Sequence, residues 1–209
     1  MFEDRKDAGE KLAKALEKYK NKNVLVLAIP KGGVEVAYEV AKHLNADFSL
    51  LISRKLPLPD NPESGFGAIA EDGSAFISED AELLLSKDEI DKIKIEQIQE
   101  IKRRIKVLRE GKSLPEISKR TVILIDDGLA MGSTMRAAIE LCKKKKAGKI
   151  IVAVPVSSKN VKQEIGKLVD EIIVLETPEF FQAVAQVYKN WYDVSDEEVF
   201  EIMKRGPVV

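Results

Sequence analysis

Apolar residues along this chain come in two alternating rhythms. Short unbroken runs occur at Val24–Ile29, Phe48–Ser53, Val122–Ile125, Ile150–Val156 and Glu171–Leu175. Runs of this length, rich in β-branched residues and not alternating with polar ones, predict strands buried on both faces, as in a parallel sheet. Between them, apolar positions recur every three to four residues. Residues 3–20 place Ala8, Leu12, Ala15, Leu16 and Tyr19 at helical spacing, and Val34–Leu44 does the same with Val36, Ala37, Val40, Ala41 and Leu44. Both read as amphipathic helices.

Ser86 to Glu110 predicts one long helix. Ser86 stands at the N-cap with Glu89 at capping-box spacing, and Gly111 stops the run. Its apolar stripe (Ile90, Ile93, Ile98, Ile101, Ile105, Leu108) suits packing on a sheet or, being close to heptad spacing, a contact between two copies. Val161–Val169 reads as a short helix, and residues 179–205 as a helical, aromatic-rich C-terminal segment with Phe180, Phe181, Tyr188, Trp191, Tyr192 and Phe200. Leu56–Gly65 is rich in Pro, Asp and Asn and reads as irregular. Phe66–Glu71 and Ala75–Ser78 flank Asp72-Gly73-Ser74, a hairpin signal. Strand and helix in alternation predict an α/β fold, a Rossmann-like parallel sheet of about five strands flanked by helices, with right-handed crossovers. The 209 residues suit one domain, residues 1–209. Within it lie the flexible loop and hairpin of residues 55–78, the long helix of 86–111, a C-terminal helical segment, 177–205, and a small hood.

The chemistry-bearing stretch is Thr121–Ala138. A buried strand runs into two acids, Asp126 and Asp127. A loop of small residues follows (Gly128, Ala130, Gly132, Ser133), and Thr134 opens a helical pattern. A helix N-terminus offers unpaired N–H groups and partial positive charge, which suits a phosphate. Adjacent carboxylates can accept from ribose hydroxyls or hold Mg²⁺. Alone, strand plus acids also resembles a Walker B strand or a receiver acid pocket. No G-x-x-x-x-G-K-[ST] exists in the chain, and a receiver would place its acids after the first strand.

A second special loop, Pro30-Lys31-Gly32-Gly33, breaks the first strand, and Arg54-Lys55 closes the second. In open α/β sheets ligands bind beyond the carboxyl ends of the strands, where the winding reverses. If Val24–Ile29 lies beside Val122–Ile125, both loops face one crevice.

Composition narrows the classes. Lys and Arg (34) nearly balance Asp and Glu (35), so the net charge of −1 gives no sign of a nucleic-acid or membrane-surface partner. One cysteine, Cys142, allows no intrachain disulfide and fits a reducing cytoplasm; it reads as a small core residue. His43, the one histidine, reads as a surface or helix-end residue. Lys143–Lys146 reads as solvated charge complementing a helix end. No apolar run approaches membrane length.

The Thr121–Ala138 stretch resembles the PRPP signature of type I phosphoribosyltransferases. The likeness extends to Ala28–Gly33, Arg54-Lys55, Asn61-Pro62-Glu63 and Gly67–Glu71, which resemble a subgroup of uncharacterised "predicted phosphoribosyltransferases". It implies transfer of the 5-phosphoribosyl group of PRPP to a nitrogenous, nucleobase-like acceptor, with Mg²⁺ and release of pyrophosphate, in a cytoplasmic homodimer. By this resemblance Lys31, Gly32 and Gly33 hold pyrophosphate, joined by Arg54 and Lys55. Ala130, Met131, Gly132, Ser133 and Thr134 hold the 5′-phosphate, and Asp126 and Asp127 hold the ribose and the metal. It also implies a non-proline cis peptide at Lys31–Gly32, a closing loop over residues 56–75 with Glu71 as a further candidate, and a base site near Ser157, Ser158 and Thr177–Phe181. Two departures stand out. Met131 replaces the first Thr of the phosphate loop, removing a hydroxyl contact of about 1 to 3 kcal/mol. Ala130 replaces an acid. Both leave open a non-catalytic PRPP- or nucleotide-binding regulator as the alternative.

Overall fold

In the computed structural model residues 1–206 are described, with the side chain of Glu63 excepted. Residues 207–209 of the expected domain, and the Glu63 side chain within the quoted motif, lie outside the described set.

The chain begins with α1 (Arg5–Ala15) and a 3-10 turn at Glu17–Tyr19. Then come β1 (Leu25–Ala28), α2 (Gly33–Leu44) and β2 (Asp47–Leu50). Next are β3 (Ser53–Leu58), β4 (Asn61–Ala70), β5 (Ala75–Ile77), α3 (Ala81–Leu84) and α4 (Lys87–Leu108). The second half is β6 (Thr121–Ile125), α5 (Ser133–Lys144), β7 (Lys149–Val156), α6 (Lys159–Gly166), β8 (Glu171–Glu176), a 3-10 turn at Val184–Val187 and α7 (Asp196–Arg205).

Five strands form one parallel sheet in the order β2-β1-β6-β7-β8. β1 and β6 are fully or almost fully buried, as their unbroken apolar runs require. Alternate side chains serve opposite faces. Val26 and Ala28 pack with Val36, Ala37 and Val40 of α2, while Leu25 and Leu27 pack with Ala138 and Ile139 of α5. The winding reverses between β1 and β6, because β2 lies on one side of β1 and β6, β7 and β8 lie on the other.

The remaining strands form an antiparallel sheet, β3-β4-β5. Its β4–β5 turn sits at the expected Asp72–Ser74, where Asp72 accepts from the backbone and hydroxyl of Ser74. The reading of Leu56–Gly65 as irregular is corrected here. β3 and β4 pair across a tight turn at Pro59-Asp60, with register shifts around Pro57. Pro57 is on an edge strand, and Pro62 precedes the part of β4 that β5 pairs. Neither proline therefore removes a needed ladder donor.

α4 begins with the expected capping box between Ser86 and Glu89. Ile90, Ile93, Ile101 and Leu108 are buried, with Ile98 and Ile105 against the same core, next to β3, β4 and α7. The stripe is thus covered within the chain, by the antiparallel sheet, and Ile95 is left outside at 63% exposure.

The C-terminal segment is also corrected. Only Val184–Val187 and Asp196–Arg205 are helical within 179–205. Its aromatics follow tertiary contacts instead of a helical stripe. Tyr188 packs at a tilt against Phe2 and Trp191, at 5.6 and 5.4 Å between ring centres. The backbone beside it pairs with the chain start, through Phe2 N to Val187 O and Lys189 N to Phe2 O. No helix among the described residues is long and apolar enough to cross a membrane.

Candidate active site

The site stands where the ends of β1 and β6 meet. Ala28 pairs with Ile125, and Ile29 N donates to Ile125 O at 2.9 Å, so the chain leaves both strands side by side. Pro30–Gly33 and Asp126–Thr134 therefore form one crevice at the switch point, as the strand order requires. The non-proline cis peptide is Pro30–Lys31, one bond earlier than expected.

The two loops touch so closely that only glycine fits the first. A Cβ on Gly32 would lie 1.9 Å from Asp127 Oδ2, and one on Gly33 2.8 Å from the Asp126 Cα and the Ile125 carbonyl oxygen. In the second loop, Gly132 takes φ 73°, a left-handed turn that aims the chain into α5. No side chain caps α5, so its first N–H groups face the loop for an anion. Beside them is a cavity of about 300 Å³, lined by Lys55 and Gly65 of the antiparallel sheet, by residues 128–134, and by Val184. Met131 is 72% exposed at its rim.

The expected basic residues separate. Arg54 and Lys55 are successive residues of β3 and so point to opposite faces. Lys55 lines the cavity beside residues 128–134. Arg54 turns to α4, donating to Gln97 at 3.0 Å and lying 3.9 Å from Glu100. Lys31, half-exposed, has Nζ 3.8 Å from Asp196 at the start of α7. Glu71 proves to be a framework residue. It accepts from Ile52 N and holds buried Arg109 through two bonds of 2.9 and 2.5 Å, and Arg109 also donates to Leu50 O. Around the expected base site, Ser157 is buried with its Oγ on the Ser158 carbonyl, and Ser158 caps α6. Phe180 is 80% exposed.

The acidic pair has a partner that the motifs do not announce. Arg5, 3% exposed, donates from Nε to Asp127 Oδ2 at 2.9 Å and from Nη1 to the Tyr192 carbonyl at 2.8 Å. Its guanidinium lies 4.0 Å from the centre of the Trp191 ring. Tyr188 donates its hydroxyl to the Asp127 carbonyl at 2.7 Å. A signal is nonetheless present in the sequence. Arg5 falls three and seven residues before Ala8 and Leu12, on the buried stripe of α1, and a charge on a buried stripe calls for a buried counter-charge.

Burial and the neighbouring charge of Asp127 push the Asp126 carboxyl well above the ordinary range. Burial also raises Asp127, against the opposing pull of Arg5. Asp126 Oδ1 accepts from the Asp127 backbone. With both acids ionised, two carboxylates and one guanidinium sum to −1 at this strand end, a charge that a proton or a further cation offsets. No group of three or more metal-ligating side chains occurs among the described residues. The donor set thus fits a magnesium ion that takes most of its oxygens from a bound phosphate and water, with one or two carboxylates beside it.

The sequence of this chain matches the family model described as phosphoribosyl transferase domain over residues 3–189. A curated Mycobacterium tuberculosis protein named "Putative phosphoribosyl transferase", present in two strains, is 38% identical over 208 residues. The match covers 99% of this chain and 47% of that protein, so the chain spans about half the length of the curated relatives it matches. The crystal structure of TT1426 from Thermus thermophilus superposes with a TM-score of 0.83 at 31% identity, covering 98% of each chain. A Neisseria gonorrhoeae hypothetical protein, solved with bound ppGpp, shares the fold at a TM-score of 0.50 and 14% identity, over 96% of this chain and 92% of its own.

Proposed function

We propose, from the premise that this chain belongs to the phosphoribosyl transferase family, that it transfers the 5-phosphoribosyl group of PRPP to a nitrogenous, nucleobase-like acceptor and releases pyrophosphate. One observation carries the reading. Both special loops converge on the β1/β6 switch point, with glycines in contact with the acids and an uncapped helix N-terminus behind them.

On this reading the start of α5, with Gly132, Ser133 and Thr134, takes the 5′-phosphate, and Lys55 lines the same cavity. The Lys31–Gly33 loop takes pyrophosphate, with Lys31 exchanging Asp196 for the ligand. Asp126 and Asp127 accept from the ribose hydroxyls. The bond from the anomeric carbon to pyrophosphate breaks, the leaving group keeps the electron pair, and the acceptor nitrogen supplies the pair for the new bond. The protein's part is to orient the reactants and to place positive charge where pyrophosphate forms. Mg²⁺, held by Asp126, Asp127 and the ligand's own oxygens, would neutralise the leaving group. The hairpin arm carrying Lys55 and Gly65 would cover the centre. We extend the reading to a cytoplasmic homodimer, whose dimeric state sedimentation tests.

The second reading, a PRPP- or nucleotide-binding regulator, is favoured by two observations. Met131 offers no hydroxyl to the phosphate, and Arg5 already occupies one oxygen of Asp127. A pyrophosphate-release screen across purine, pyrimidine and nicotinate-like acceptors decides between the two. Release with one acceptor establishes the transferase. Saturable PRPP binding with no release for any acceptor moves the assignment to the regulator.

A further inference from the structure

We propose that Arg5 is a positioning residue of the ribose site, and that through it the state of Asp127 is transmitted to Trp191 and the C-terminal segment. The inference rests on the phosphoribosyl reading for its ligand, though not for its geometry.

Asp127 Oδ2 is fixed from two sides. Arg5 Nε lies 2.9 Å away, and the Gly32 backbone approaches so closely that a Cβ there would stand 1.9 Å from the same oxygen. Arg5 is itself held at three points, by this carboxylate, by the Tyr192 carbonyl, and by the Trp191 ring at 4.0 Å. A guanidinium fork stacked on an indole has one geometry for all of these contacts, which an ammonium cannot reproduce. Arg5 therefore fixes where Asp127 points. Any change in what Asp127 binds alters the balance of charge on a guanidinium that lies over the indole.

Trp191 is the chain's one tryptophan, so its fluorescence reads this contact without a label. The test is a double-mutant cycle of Arg5→Met and Asp127→Asn, with circular dichroism confirming the fold. Without ligand, Asp127→Asn should shift Trp191 emission in the wild-type background and leave it unchanged in the Arg5→Met background. An equal shift in both backgrounds, or none in either, overturns the coupling. With PRPP and Mg²⁺ as the probe, Arg5→Met should weaken binding about 10-fold. The double variant should bind no more weakly than Asp127→Asn alone, because the arginine acts through the aspartate. Losses that simply add would make Arg5 a scaffold residue and end the proposal. If Arg5→Met does not fold, Arg5→Lys carries the same cycle, with a smaller loss because charge is kept and the fork is not. A wild type that shows no response to PRPP defeats the phosphoribosyl reading, while the ligand-free cycle still decides whether Trp191 answers to Asp127 through Arg5.

Discussion

Gly132, Met131 and Asp126 show how much of the site is decided residue by residue. Gly132 sits at φ 73° with Val161 Cγ1 3.1 Å from the place of a Cβ. Gly132→Ala should cost about 1 to 2 kcal/mol in urea unfolding, and a neutral result would contradict the turn described. Met131 is exposed, so Met131→Thr should leave stability unchanged. It should tighten PRPP binding by about 1 kcal/mol, read by titration calorimetry. Asp126 is raised by burial, so its folded form binds protons more tightly than the unfolded chain. Stability is therefore lost as pH rises from the ordinary value of 3.8 through the folded pKa. Asp126→Asn should raise the melting temperature at neutral pH while weakening PRPP binding. The gain should vanish below pH 3.8. Acids and glycines are legible in the sequence because their types and order name their chemistry. Arg5 is not, because the distance of 122 residues to Asp127 leaves no local trace beyond a charge on an apolar stripe.

At the scale of elements, the central strands β1, β6 and β7 are legible because burial on both faces leaves almost no room for polar residues, while the edge strand β8 is half-buried throughout and keeps Glu171 and Glu176. The special loops suggest only that β1 lies beside β6; the places of β2, β7 and β8 come from the structure. The antiparallel β3–β4 pair is hidden by its prolines, which an edge strand and a register shift tolerate. The C-terminal segment imitates a helix because its aromatics, spaced like a helical stripe, are instead spent on Phe2 and Arg5. Arg54 and Lys55 form a pair only in the sequence, since a strand sends neighbours to opposite faces. Glu71 has the sequence context of a loop carboxylate, yet it ties the end of β4 to the end of α4. Glu71→Ala should cost about 3 to 5 kcal/mol, since it strands buried Arg109. A loss below about 1 kcal/mol in denaturant titration would contradict that role.

For the whole molecule, the chain start and the C-terminal segment close over the ligand loops through Phe2, Arg5, Tyr188 and Trp191. Global stability and the site are thereby linked, and acid should lower stability from the opposite end of the sheet, at the start of β8. Lys18, Tyr19 and Lys149 converge on Glu171 and, against its partial burial, hold its carboxyl at about 2, where 4.5 is ordinary. Its contribution is present above the unfolded value and is lost as pH falls from 4.5 towards about 2. Melting temperature followed across that window should fall steadily, less so in Glu171→Gln.

The central claim is that the β1/β6 crevice binds PRPP. Calorimetric titration of PRPP with Mg²⁺ into the wild-type chain and Asp126→Asn addresses it most directly. The predicted result is saturable binding at one site per chain, weakened about 10-fold or more in the variant. Absence of binding in the wild type, or equal binding in both, would contradict it.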